Sequence, residues 1–159
     1  MTMSSYPFFL VYPCGYSRDG ALVHHLMKRD PRMLLIDTRM SPRSHWSEWN
    51  QSSLHTRYSK RYRWAGAFLG NRNYATGGPI TLADPAVGIA GLLQYLQEGH
   101  LLILLCGCYD FTLCHVSLIV SLLQQARPTV LAVLPEDVRY IAALTTHHCS
   151  QPEQEEHRA

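Results

Sequence analysis

The segment Leu101–Gln125, LLILLCGCYDFTLCHVSLIVSLLQQ, constrains the fold of this chain more than any other. The apolar run Leu101–Cys106 has the length of a strand buried on both faces. A short polar loop follows, and Cys114-His115 opens a second apolar run with the length of a helix. A buried strand that feeds a helix through a short loop is the unit from which parallel α/β sheets are built.

The same alternation runs through the rest of the chain. Tyr6–Tyr12 reads as a first strand and Asp19–Arg29 as a helix, with Ala21, Leu22, Leu26 and Met27 near helical spacing. Met33–Asp37 is a second buried strand. Thr38–Ser59 is polar and aromatic, which predicts a long loop and a short helix around Ser52–Ser59. Tyr62–Ala67 is a third strand, and the Gly- and Asn-rich Leu69–Thr81 is irregular. Asp84-Pro85 has the cap and first-turn residues of a helix that ends before Gly99. Cys114–Gln125 is the next helix and Thr129–Leu134 a fifth strand. The expected fold is an α/β three-layer sandwich, with a mostly parallel central sheet of about five strands and helices on both faces.

At 159 residues and 47% hydrophobic composition, one core is expected, a single domain over 1–150, with 151–159 as a disordered acidic tail. No apolar run is long enough to span a bilayer, and the opening MTMSSYPFFLVYPCGYS places no positive residue before its short apolar stretch. Five cysteines, three of them within Cys106–Cys114, suit reduced thiols better than a disulfide framework. The expectation is a cytoplasmic protein without a membrane partner.

Cys106, Cys108, Cys114 and His115 crowd around one strand-to-helix loop. A thiol at a helix N-terminus feels the positive end of the helix dipole, which favours the thiolate, and the free amides there attract anions. Cys114 is the candidate nucleophile on that reasoning, although a cysteine at the end of a core strand, Cys106 above all, also reads as a small buried hydrophobe. Thiolates and imidazole are zinc's preferred ligands, but the spacing lacks a second separated pair and adjacent residues rarely reach one ion, so no metal is assigned. The cofactor stays open. Asp37 and Arg39 follow the second strand, with Arg43 and Ser44 just beyond. They read either as an ion pair that holds the loop or as a fork onto a ligand's phosphate or carboxylate.

Between Arg39 and Tyr74 lie Arg43, Arg57, Lys60, Arg61, Arg63 and Arg72 against the single acid Glu48. Interleaved with Tyr58, Tyr62 and Trp64, this run is either a solvated face or a single-strand nucleic-acid surface centred on Arg57, Lys60, Arg61 and Arg63.

In its ordered motifs the chain resembles the family catalogued as domain of unknown function 488. The residues that carry the resemblance are Gly15-Tyr16-Ser17, Asp37-Thr38-Arg39, Pro42-Arg43-Ser44, Tyr62-Arg63-Trp64, Leu69-Gly70-Asn71, Asn73-Tyr74, Leu104-Leu105-Cys106-Gly107-Cys108 and Cys114-His115. It covers about Phe9 to Gln125 and implies an intracellular α/β sandwich without an assigned general activity. It adds Asn71 and Asn73 to the ligand-binding set. Tyr16 and Ser17 already belong to that set, because they follow the first strand at the end that feeds the same crevice as the strand ends at Asp37 and Cys106. Members commonly carry Cys-His-Arg where this chain has Cys114-His115-Val116, so one expected cation is missing.

The leading expectation is therefore a pocket for an anionic small molecule or nucleotide at the carboxyl ends of the strands. It is lined by Cys106, Cys108, Tyr16, Ser17, Arg39, Arg43, Ser44, Asn71 and Asn73, with Cys114, His115 and Asp37 as catalytic residues of a thiol-dependent enzyme. The alternatives are a nucleic-acid-binding accessory protein and an inactive relative of the family.

Overall fold

The computed structural model describes residues 8–139. The strands are β1 (Phe9–Gly15), β2 (Met33–Asp37), β3 (Tyr62–Trp64), β4 (Leu101–Cys106) and β5 (Val130–Ala132). The helices are α1 (Tyr16–Arg29), α2 (Gln51–Tyr58), α3 (Gly66–Leu69), α4 (Pro85–Gln97) and α5 (His115–Ala126). All strand pairs are parallel, in the order β3-β2-β4-β1-β5, so the most apolar strand is central. The expected tail at 151–159 lies outside the described residues, as does Cys149.

Side-chain alternation along the strands divides the core in two. Leu34, Ile36, Leu102 and Leu104 pack with Leu92 of α4 and Ile119 and Leu123 of α5 on one face. Met33, Leu35, Ile103 and Leu105 pack with Val23 and Met27 of α1 and Leu54 of α2 on the other. This is the three-layer α/β sandwich that the apolar runs imply.

Several boundaries differ from the sequence reading, each for a local reason. β1 continues through Pro13, where the expected strand stops at Tyr12. Phe9 N–H donates to Thr129 O, so the backbone amides of residues 9 and 11 and the ring nitrogen of Pro13 face β5. The β5 pairing ends at Val11, so the missing N–H of Pro13 costs no ladder bond. α1 begins at Tyr16 rather than Asp19. Asp19 leaves helical geometry (φ −114°, ψ 16°) and its carboxylate accepts from Gly15 N–H at 3.2 Å, which joins an extra first turn to the helix across a kink. β3 is shorter than Tyr62–Ala67 because the chain turns into α3 at Gly66, where a Cβ would stand 1.9 Å from Arg39 O. β5 is likewise confined to Val130–Ala132, the residues that pair with β1.

Candidate functional site

The carboxyl ends of β1, β2 and β4 are level: Gly15 pairs with Cys106 and Asp37 with Leu105. The loop after β4 returns over Gly15, and the Cys108 carbonyl sits where a side chain on Gly15 would be, 1.9 Å from an ideal Cβ. Ser17 Oγ donates to Gly107 O at 3.2 Å, and the Tyr16 ring lies against Gly107. The first turn of α1 thus clamps the loop that carries Cys108.

Within this fold the sulfurs of Cys106, Cys108 and Cys114 lie within 4.8 Å of one another. His115 Nδ1 stands 3.7 Å from Cys114 Sγ. On its far side, His115 Nε2 is 3.0 Å from Thr38 O and 2.9 Å from Thr38 Oγ1. The Thr38 hydroxyl donates its proton to Leu105 O at 2.8 Å, so both Thr38 oxygens accept from Nε2. That assigns a proton to Nε2 and turns Nδ1 toward the thiols.

Cys106 and Cys114 are buried and Cys108 is half-buried. Hydrogen bonds from Cys106, Cys114 and His115 hold the Cys108 thiol far below the usual range, while the bonds to Cys108 and Cys114 push Cys106 far above it. Cys108 is thus the thiol whose anion its neighbours favour. Burial alone would lower the His115 pKa, but its bonds to Cys108 and Cys114 raise it to about 9. Burial pushes the Cys14 thiol up to about 12.

Beside the cluster is a cavity of about 10 Å³, lined by Cys106 and Cys108 with Arg18, Tyr109, Phe111 and Val116 among its walls. That is room for one water or one ion. Pockets for drug-sized ligands run to roughly 300–1,000 Å³.

The remaining residues singled out from the sequence lie elsewhere. Asp37 and Arg39 reach the same sheet edge but the opposite face: Asp37 accepts from Arg39 Nε at 2.8 Å, Arg39 Nη2 at 2.6 Å and Tyr62 Oη at 2.7 Å. Arg39 Nη2 also donates to Trp49 O, and its guanidinium lies over the Tyr16 ring. Of the two readings of this pair, the geometry is that of the loop-holding ion pair. Arg43 and Ser44 line a separate open depression with Trp64. Asn71 and Asn73 organise their own loop, through Asn71 Oδ1 to the Asn73 and Thr81 amides and Asn73 Nδ2 to Pro79 O. Cys114 is only 1% exposed and its side chain makes no capping bond, so it is a buried member of the cluster rather than an accessible nucleophile. Val116 is wholly buried in the α5 core.

Three contributors were not singled out as site residues from the sequence. Thr38 stands between two residues that were, and strand alternation turns it toward His115 while Asp37 faces away. Gly15 admits the Cys108 carbonyl. Asp19, buried, takes bonds from Gly15 N–H, Arg18 and Arg139 beside the cavity. Its place in an apparent amphipathic helix gave no signal of that role.

Among the described residues no helix is long and apolar enough to cross a membrane. No family model, curated protein or solved structure matches the chain, so the resemblance to domain of unknown function 488 rests on the motifs quoted above.

Proposed function

We propose that this protein binds a thiophilic d¹⁰ metal ion, zinc or cuprous copper, through Cys106, Cys108 and Cys114, with His115 Nδ1 as the fourth donor. The observation that carries the reading is the convergence of three sulfurs within 4.8 Å, with an imidazole nitrogen 3.7 Å from one of them. Thiolates about 2.3 Å from one zinc stand roughly 3.8 Å apart, so the three sulfurs need close only modestly on an ion, and a shift of His115 Nδ1 from beside Cys114 toward the other two would complete the shell. The Thr38 oxygens supply the outer hydrogen bond that ligating histidines usually make. The objection from spacing is met by geometry, since the strand end, the loop and the helix start bring the donors together although Cys114 and His115 are adjacent.

On this reading the chain is a divergent relative of the domain of unknown function 488 group and works in a reducing compartment such as the cytoplasm, where thiols persist. A second reading, thiol-dependent chemistry, is favoured by the partial exposure and low pKa of Cys108, which would then replace Cys114 as the nucleophile. The small cavity favours an ion over an anionic metabolite or nucleotide at this spot.

Reduced, metal-free protein titrated with Co²⁺ distinguishes them. The metal reading expects one equivalent bound, with intense sulfur-to-metal charge-transfer absorption that is lost in Cys106→Ser, Cys108→Ser and Cys114→Ser. Absence of such absorption in folded, reduced protein, with cuprous ion also failing to bind, overturns it.

A further inference from the structure

A second site lies away from the thiols, on the β3 side of the sheet. An open depression of about 680 Å³ is lined by Met40, Pro42, Arg43, Ser44, Gln51 and Trp64, among others. Its volume falls in the range of small-molecule and nucleotide sites. Trp64 is 40% exposed, but its ring is not loose: Nε1 donates to Arg39 O at 2.9 Å, and Gly66 leaves room for that approach. A half-exposed indole pinned by its own N–H is a flat platform held ready at low entropic cost.

The cations around it sort into two groups. Arg39 is buried against Asp37, Arg61 donates to Met27 O and Asp30 O, and Arg72 donates to Ala83 O, so these hold the fold. Arg43, Lys60 and Arg63 are exposed, and among the described residues their side chains have no ion-pair or hydrogen-bond partner. Arg57, also exposed, lies over the Tyr58 ring. Glu48 is the single acid between Arg39 and Tyr74. The segment therefore joins a stacking surface to cations that no acid among the described residues pairs with, and a flexible polyanion with planar bases complements both.

We propose that this face binds single-stranded nucleic acid, with one base stacked on Trp64 in the depression, a phosphate on Arg43, and the flanking backbone on Arg57 and Lys60, whereas Arg63 turns to the opposite face of the sheet with Ile36. The proposal is independent of the metal centre and differs from a simple basic run in excluding Arg61 and Arg63 and including Arg43.

The test is fluorescence anisotropy with a labelled oligothymidylate of about 12 nucleotides, at several salt concentrations. Wild type should bind at low salt, and duplex DNA of the same length and AMP should bind much more weakly. Trp64→Ala should weaken binding roughly tenfold or more. Because that change also removes the Arg39 contact, Arg43→Gln serves as the variant that leaves the indole pinned and should weaken binding, while Trp64→Phe, which loses the bond to Arg39 O but keeps an aromatic ring, should retain part of it. Replacing Arg43, Arg57 and Lys60 together by Gln should cut the slope of log affinity against log salt by roughly two. Arg127→Gln, beside β5 at the opposite edge of the sheet, should change nothing. No binding at low salt, equal affinity for duplex DNA or AMP, or insensitivity to both Arg43→Gln and Trp64→Ala would overturn the proposal.

Discussion

The imidazole Nε2 of His115 lies 3.0 Å from the main-chain oxygen of Thr38, tying the first residue of α5 to the end of β2. That bond, doubled by Thr38 Oγ1 at 2.9 Å, fixes which ring nitrogen faces the thiols. An alternation of one residue decides it. Were the strand shifted by one, Asp37 would meet His115 and the cluster would gain a carboxylate instead of a carbonyl.

Thr38→Val removes one of the two acceptors and leaves the other. Ring orientation then relaxes, and Co²⁺ affinity measured by competition with a chelator should fall about tenfold, as for other outer hydrogen bonds to ligating histidines. Unchanged affinity would show that the main-chain oxygen alone orients the ring.

In the metal-free protein, Cys108 should be alkylated faster than Cys106, Cys114 or Cys14. It is the only partly exposed thiol among them, and hydrogen bonds to its sulfur stabilise the anion. A thiol whose pKa is lowered stays ionised as the pH falls, so the lead of Cys108 should widen at mildly acidic pH. Cys14, with its pKa near 12, should label only on unfolding. Peptide mapping by mass spectrometry after brief iodoacetamide exposure gives the order, and faster labelling of Cys114 would restore it as the candidate nucleophile.

Much of this architecture is legible in the sequence, because Met33–Asp37 and Leu101–Cys106 are unbroken apolar runs that only a doubly covered parallel sheet can bury. The loop that gathers the thiols is also legible. What spacing cannot convey is which face of the sheet a strand-end residue takes. Asp37 and Cys106 share an edge yet serve opposite layers, so a crevice drawn around both joins an ion pair on one face to a thiol cluster on the other. Pro13 misleads in a different way: it looks like a strand stop, but the neighbouring strand has already ended.

Gly15→Ala tests the clamp on the thiol loop. A Cβ 1.9 Å from Cys108 O cannot be accommodated without moving backbone, and the overpacking should cost about 1–3 kcal/mol in denaturant unfolding. Cobalt absorption should weaken as well, since the displaced residue is one of the proposed ligands. A normal spectrum with normal stability would mean that the loop shifts freely.

Arg39→Leu tests the separation of the two faces. It leaves Asp37, fully buried, with the Tyr62 hydroxyl but no cation, and should destabilise the fold by about 3–5 kcal/mol. Adding Asp37→Asn should recover part of that loss. In the protein that remains folded, cobalt uptake should be unaltered, whereas a lost cobalt signal would tie Arg39 to the thiol centre.

Val116→Arg addresses the cation that the family resemblance leads one to expect at the start of α5. Val116 is 0% exposed and packs in the layer with Ile119 and Leu123, so an arginine there places a guanidinium among aliphatic side chains. An uncompensated buried charge should cost on the order of 3–5 kcal/mol. A side chain so long could escape only by displacing Phe111 or the Cys108 loop, which line the cavity with Val116. The expected thermal melt is a large drop that inorganic phosphate does not reverse. If phosphate restores the melting temperature of the variant while leaving that of the wild type unchanged, the new guanidinium has reached an anion site at the helix start. The neighbourhood of α5 would then retain an oxyanion pocket, and the position of Val116 in the core would be a replaceable substitution rather than a structural requirement.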